Sequence, residues 1–152
     1  GIDSDIADSL AEKMSEKHFA RCSDLNDVWR KEKKRESELF PNIEREADVV
    51  KEALANFKGL GLTGGALLVN GKIKAFRIGE RLTNDTAVIH IEKADPSIRG
   101  LSQLINREFV RNEWSNFTYI NREQDLGHPG LRKAKMSYHP IKLEKKFNIM
   151  LK

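Results

Sequence analysis

The chain has 152 residues, enough for one sizeable core, and 39% hydrophobic with 33% charged residues describes a soluble, charge-rich globular protein. No apolar run approaches the ~20 residues that cross a bilayer. The acidic start GIDSDIADSL is unlike a basic targeting sequence, and the lone Cys22 excludes an intrachain disulfide and a cysteine-rich zinc site, so a reducing, cytoplasmic setting fits. The net charge of +4 is uneven, with 11 basic against 5 acidic residues in 99–152 and 16 against 18 in 1–98. Such a basic half attracts phosphate, nucleic acid or anionic lipid, or is a solvated basic face. The first residue is Gly1, which fits a piece of a longer chain.

In chain order, Ile6, Leu10, Met14, His18, Cys22, Leu25 and Trp29 recur at helical spacing, with a break expected near CSDLND. RKEKKRESE reads as a helix end or linker. A second helix is expected from Pro41, with Ile43, Ala47, Val50, Leu54 and Phe57 on one face, ending at KGLGLTGG. The period then changes. GALLVNGKIKAFRIGERL is two strands joined at Asn70-Gly71, a strong hairpin signal. TAVIHIEKA is a third strand, with Ala87, Ile89 and Ile91 expected on one face and Val88, His90 and Glu92 on the other. A helix with Leu101, Leu104, Ile105 and Phe109 follows, then a strand in FTYINRE, a short helix in HPGLRKAK, and a last strand in SYHPIKLEKKFNIMLK. The fold class is α/β (α+β), a mixed sheet flanked by helices. Residues 86–121 should form a parallel crossover, and ligands of such sheets sit beyond the carboxyl ends of the strands. The loops IEKADPSIRG and INREQDLGHPG meet there, and the strands are expected to part near Lys93 and Asn121.

This succession resembles the GNAT acyltransferase fold. AFRIGERLTNDTAVIHIEKADPSIRG, INREFV and YINREQDLGHPGLRKAKMSYHP, within about residues 43–150, resemble a family grouped with the C-terminal region of phosphatidylglycerol lysyltransferases. The resemblance implies two GNAT-like halves in tandem. This chain is then the second half: residues 1–40 form a helical segment joining or belonging to a missing N-terminal half, and residues 41–152 form the C-terminal domain. It also implies acyl transfer, foremost of an aminoacyl group from tRNA to an amine or hydroxyl acceptor such as a lipid headgroup or a peptide. Two alternatives stand beside it: a non-catalytic module that binds tRNA, anionic lipid or its partner half, and an acyl-CoA-dependent N-acetyltransferase. No cofactor is required beyond the donor substrate, aminoacyl-tRNA or acyl-CoA.

Several residues bear on that chemistry. CoA-dependent GNAT enzymes carry Gln/Arg-x-x-Gly-x-Gly/Ala before the crossover helix, where backbone N–H groups cradle pyrophosphate. Here, aligned on Gly100, the flanks are Ser97 and Ser102, with Arg99 adjacent. Arg99 and Gly100 are phosphate candidates, and the degenerate pattern suits aminoacyl-tRNA better than acyl-CoA. Glu80, in phase with Phe76 and Ile78, needs a partner or solvent. Glu92 and Glu123 are candidate general bases, with membership of structural ion pairs as the reading that the many nearby partners favour. Tyr138 is the candidate general acid or an anchor for the last strand. Asn121, Arg122, Asp125, Arg132 and Lys135 complete a polar cluster, in which Arg132 and Lys135 share a helical face and hold a phosphate or neutralise Glu123 and Asp125. No two of His18, His90, His128 and His139 have the i, i+4 spacing of a helical zinc site, so no metal is expected.

Overall fold

The structure, a computed structural model, describes residues 10–36, 43–123, 129–145, 147 and 149–150. The elements are β1 (Leu10–Lys13), α1 (Glu16–Glu36), α2 (Ile43–Ala55), β2 (Thr63–Val69), β3 (Lys72–Arg81), β4 (Thr86–Ala94), α3 (Leu101–Glu113), β5 (Tyr119–Asn121) and α4 (Pro129–Met136). The five strands lie side by side in chain order. Neighbours are antiparallel except β4 and β5, which are parallel and joined through α3. The chain divides into two compact units between Asn121 and Arg122.

The N-terminal segment departs from the expected helical arm. Ile6 lies outside the described residues, and Leu10–Lys13 is a strand paired with β2. Its side chains alternate: Ala11 packs with the α3 cluster and Lys13 pairs with Glu113, whereas Glu12 reaches His18 and Met14 enters the cluster under α1 and α2. Four residues are too few for spacing alone to separate the two periods. Helix α1 then runs unbroken through CSDLND, because Asn26 is buried with its amide donating to the Ala47 carbonyl of α2 at 3.2 Å. Residues 10–36 thus supply an edge strand and a core helix to the first unit.

At the start of α1 the Ser15 N–H donates to His18 Nδ1 at 2.9 Å. Nδ1 is therefore an acceptor, which leaves Nε2–H to donate to the Glu12 carboxylate at 2.8 Å. Hydrogen bonds from His18 and Lys17 hold the Glu12 carboxyl below its ordinary range.

Helix α2 buries Ile43, Ala47, Val50 and Leu54, as its spacing predicts; Pro41 lies outside the described residues. The β2–β3 hairpin turns at Asn70-Gly71, with φ of 51° and 74°, the double positive φ of a type I′ turn. One face of the sheet meets α1 and α2 through Ile73, Phe76, Ile78 and Ile91. The other meets α3, where Leu67 and Ala75 pack on Leu101, Leu104 and Ile105, and Ala87 and Ile89 pack on Phe109 and Trp114.

Ile89 and Ile91 therefore lie on opposite faces, against the expected alternation. The register explains it: Ile78 pairs with Ile91 and Gly79 with Ile89, so His90 is an extra residue in β4. A β-bulge there reverses the side-chain phase for the rest of the strand.

The C-terminal part also departs from expectation. The strand in FTYINRE is confined to Tyr119–Asn121, and among the described residues after α4 there is no strand.

Candidate active site

Strands β4 and β5 pair only at Thr86↔Tyr119, Ala87↔Ile120 and Val88↔Asn121. Beyond Val88 the edge of β4, Ile89 to Ala94, has no strand partner among the described residues. The strands were expected to part near Lys93; they part earlier, next to the bulge at His90, because the bulge bends β4 away from a straight ladder.

Three charged pairs lie along this part of β4. Glu92 is opposite Arg77 of β3 and accepts from its guanidinium; Arg77 also donates to Asn106 of α3. Arg77 is fully buried and Glu92 partly so, and the pair ties the Glu92 carboxylate to the α3 side of the sheet. An arginine in KIKAFRIGER and an acid in HIEKA were visible in the sequence, but their pairing needs the strand register.

Lys93 points to the opposite face. It is buried, its ammonium sits 3.2 Å from the Trp29 ring centroid, and it donates to Glu46 of α2. Burial pushes its pKa down, only partly offset by Glu46, which keeps much of its hydration. Exchanging a buried ion for an apolar group of similar shape is often neutral or stabilising by about 1–4 kcal/mol. Lys93→Met should therefore leave the melting temperature unchanged or raise it. Below the depressed folded-state pKa the cost of Lys93 is fully present, and it is relieved as pH climbs toward the ordinary value of 10.5. The gain of the variant should accordingly shrink at alkaline pH in calorimetry across that range.

The third pair is His90 with Glu80. Nε2 lies 3.1 Å from Glu80 Oε1, and both side chains are 36% exposed. This supplies the partner that a carboxylate in phase with Phe76 and Ile78 requires. Neither residue stood among the candidate site residues, because a bulged histidine looks like any other strand residue in sequence.

At the carboxyl end of β4, the loop into α3 is held by Asp95. Its carboxylate accepts from Lys74 Nζ at 2.8 Å, Ser97 Oγ at 2.6 Å and the Ser97 N–H at 3.0 Å. Burial alone would raise the Asp95 pKa, but these donors outweigh it and hold the group below its ordinary range. Gly100 is the N-cap of α3 at φ 91°, a conformation costly for any residue with a Cβ, and no side chain caps the helix. Arg99 beside it is exposed.

The second unit assembles other candidates. The Arg122 guanidinium lies 4.0 Å from the Tyr138 ring centroid, and Lys135 Nζ donates to the Arg122 carbonyl at 2.5 Å. Glu123 is exposed at φ 57°, and Arg132 is exposed on α4. Asp125, with Gly127 and His128, lies outside the described residues. The sequence candidates thus fall into two groups: Glu92, Arg99, Gly100 and Asn121 in the first unit, and Arg122, Glu123, Arg132, Lys135 and Tyr138 in the second.

A sheet with one parallel pair that parts early, α1 and α2 on one face and the crossover helix on the other, is the GNAT-like acyltransferase fold. Solved structures share it at low identity. A possible acetyltransferase from Clostridium difficile is 12% identical with a TM-score of 0.63, over 94% of this chain and 97% of that one. The ribosomal-protein-alanine N-acetyltransferase from Brucella melitensis is 8% identical with a TM-score of 0.65, over 95% and 99%. More specifically, the chain belongs to the family described as phosphatidylglycerol lysyltransferase, C-terminal, which it matches over residues 8–150. A conserved protein of unknown function from Bacteroides thetaiotaomicron is 42% identical with a TM-score of 0.81. That match covers 90% of this chain and 46% of the Bacteroides chain. No curated protein matches the chain significantly. Among the described residues no helix is long and apolar enough to cross a membrane.

Proposed function

We propose that this chain is the C-terminal GNAT-like half of an aminoacyltransferase, which moves an aminoacyl group from tRNA to an amine or hydroxyl acceptor such as a lipid headgroup. The observation that carries the reading is the early parting of β4 from β5. It leaves the backbone groups of Ile89 to Ala94 as a ledge for an extended donor arm, with the positive end of α3 and Arg99 at its head for a phosphate.

The loop chemistry favours tRNA over CoA as the donor. A pyrophosphate cradle needs successive unengaged N–H groups, yet the Ser97 N–H already donates to Asp95, and that carboxylate repels a pyrophosphate. An aminoacyl ester is activated already, so the enzyme's work is positioning and electrostatics. With Glu92 engaged by Arg77, Glu123 is the carboxylate that orients the acceptor, and Tyr138 protonates the departing ribose oxygen. Asn121, Arg122, Asp125, Arg132 and Lys135 bind the polar parts of donor and acceptor. The N-terminal half, which the longer Bacteroides chain suggests, completes the acceptor site.

The test is transfer of radiolabelled amino acids from a charged tRNA pool to vesicles of phosphatidylglycerol by the full-length protein. Label should enter the lipid, and Glu123→Gln should abolish this with the melting temperature unchanged. Saturable tRNA or lipid binding without transfer would favour a binding module instead, and label transfer from acetyl-CoA alone would favour an N-acetyltransferase.

A further inference from the structure

Resting on the transfer reading for its purpose, we infer that the segment 141–150 docks the protein on an anionic lipid surface, which brings the acceptor to the site. The segment joins exposed apolar side chains to an excess of positive charge, the combination that anionic bilayers bind.

The apolar part is confined to one stretch. Ile141, Leu143, Phe147, Ile149 and Met150 are 73–93% exposed. Elsewhere among the described residues the most exposed large apolar side chain is Leu10, at 58%. An extended backbone puts Ile141, Leu143, Phe147 and Ile149 on one side. Concentrated apolar exposure of this kind marks an interaction surface.

The charge decides between partners. Residues 129–152 carry seven Lys/Arg against one acid, Glu144, which pairs with Lys142 at 2.6 Å. Lys133 and Lys145 are exposed. Lys142, Lys145 and Lys146 stand between Ile141 and Phe147 in the sequence. The cores of protein–protein interfaces are depleted of lysine, which disfavours a protein partner. RNA attracts the charge but offers no apolar surface to Ile141, Leu143 and Ile149. A bilayer containing phosphatidylglycerol takes both. The apolar side chains enter the acyl boundary, while the lysine stems lie along it and leave their ammonium groups among the phosphates. The segment belongs to the same compact unit as Arg132 and Lys135, to which the transfer reading gives the polar parts of donor and acceptor.

The test sediments the full-length protein with vesicles of phosphatidylcholine alone or mixed with phosphatidylglycerol. Wild type is compared with two double variants, Phe147→Ser with Ile149→Ser and Lys133→Gln with Lys145→Gln. All four side chains are exposed, so the melting temperature should not change. Wild type should bind the mixed vesicles, and more weakly as salt rises. A lysine near such a surface is worth about fivefold in affinity, so the lysine pair should weaken binding about 30-fold. The serine pair should weaken it about tenfold or more. With charged tRNA as donor, both variants should raise KM for vesicular phosphatidylglycerol and leave transfer to dispersed dihexanoyl phosphatidylglycerol unchanged.

Wild-type affinity for the mixed vesicles in either variant overturns the docking. A lowered melting temperature in the serine pair does so too, because it shows that face covered by protein. Loss of tRNA binding in the lysine pair, with vesicle binding kept, assigns the charge to RNA and overturns it as well. Transfer to dispersed lipid by a wild type that binds no vesicles overturns the docking alone. Vesicle binding by a wild type that transfers to neither form of the lipid overturns the transfer reading and leaves the docking standing.

Discussion

Arg77→Leu is expected to destabilise the protein by about 3–5 kcal/mol, the usual consequence of removing one partner of a buried pair. Arg77 is fully buried in β3, with its guanidinium shared between Glu92 of the neighbouring strand and Asn106 of α3. Leucine fills part of the volume, but it takes the guanidinium away from the partly buried Glu92 carboxylate and from Asn106. At about 2–4 °C per kcal/mol for a chain of this size, the melting temperature should fall by about 10 °C, readable by calorimetry. The double change Arg77→Leu with Glu92→Leu should regain much of the loss, because no unpaired charge then remains inside. A single variant as stable as wild type would show that Glu92 finds solvent by another route.

The second large effect is expected at Gly79. A Cβ on that residue would lie 2.2 Å from the Val88 carbonyl oxygen and 2.2 Å from the Trp114 ring. The ring could shift, but the oxygen belongs to the adjacent backbone, so β3 and β4 must separate where β4 is about to bulge. Overpacking of this kind costs about 1–3 kcal/mol and sometimes more. Gly79→Ala should sit at or above the top of that range. It should also lower transfer, because Gly79 pairs with Ile89 at the point where β4 leaves β5. Gly79→Ala with wild-type stability and activity would contradict the close approach.

Local chemistry made much of this fold legible. Asn70-Gly71 declared the hairpin because few dipeptides accept two positive φ values in succession. Leu101, Leu104, Ile105 and Phe109 declared α3 because their spacing buries one helical face. What escaped depends on pairing between distant segments. Leu10 to Lys13 fits both periods and becomes a strand only because β2 accepts it. The bulge leaves no trace in AVIHIEKA, yet it puts Ile89 and Ile91 on opposite faces.

The candidate site divides in the same way. The sequence placed a charged cluster after β5, and Arg122, Lys135 and Tyr138 do come together in the second unit. It left open whether Glu92 was a base or one half of an ion pair, a choice that turns on Arg77 lying opposite in the register. Glu80 was recognised as a carboxylate in need of a partner, but identifying His90 required the β3–β4 pairing. Composition and period carry elements, whereas register carries sites.

The most direct measurement is a crystal structure of the full-length protein with a non-hydrolysable 3′-aminoacylamido analogue of the tRNA terminus. The account predicts the analogue along the β4 edge between Ile89 and Ala94, with its phosphate toward Gly100. Density for the analogue elsewhere, or a β5 that pairs with β4 as far as Ala94 and closes that edge, would contradict it.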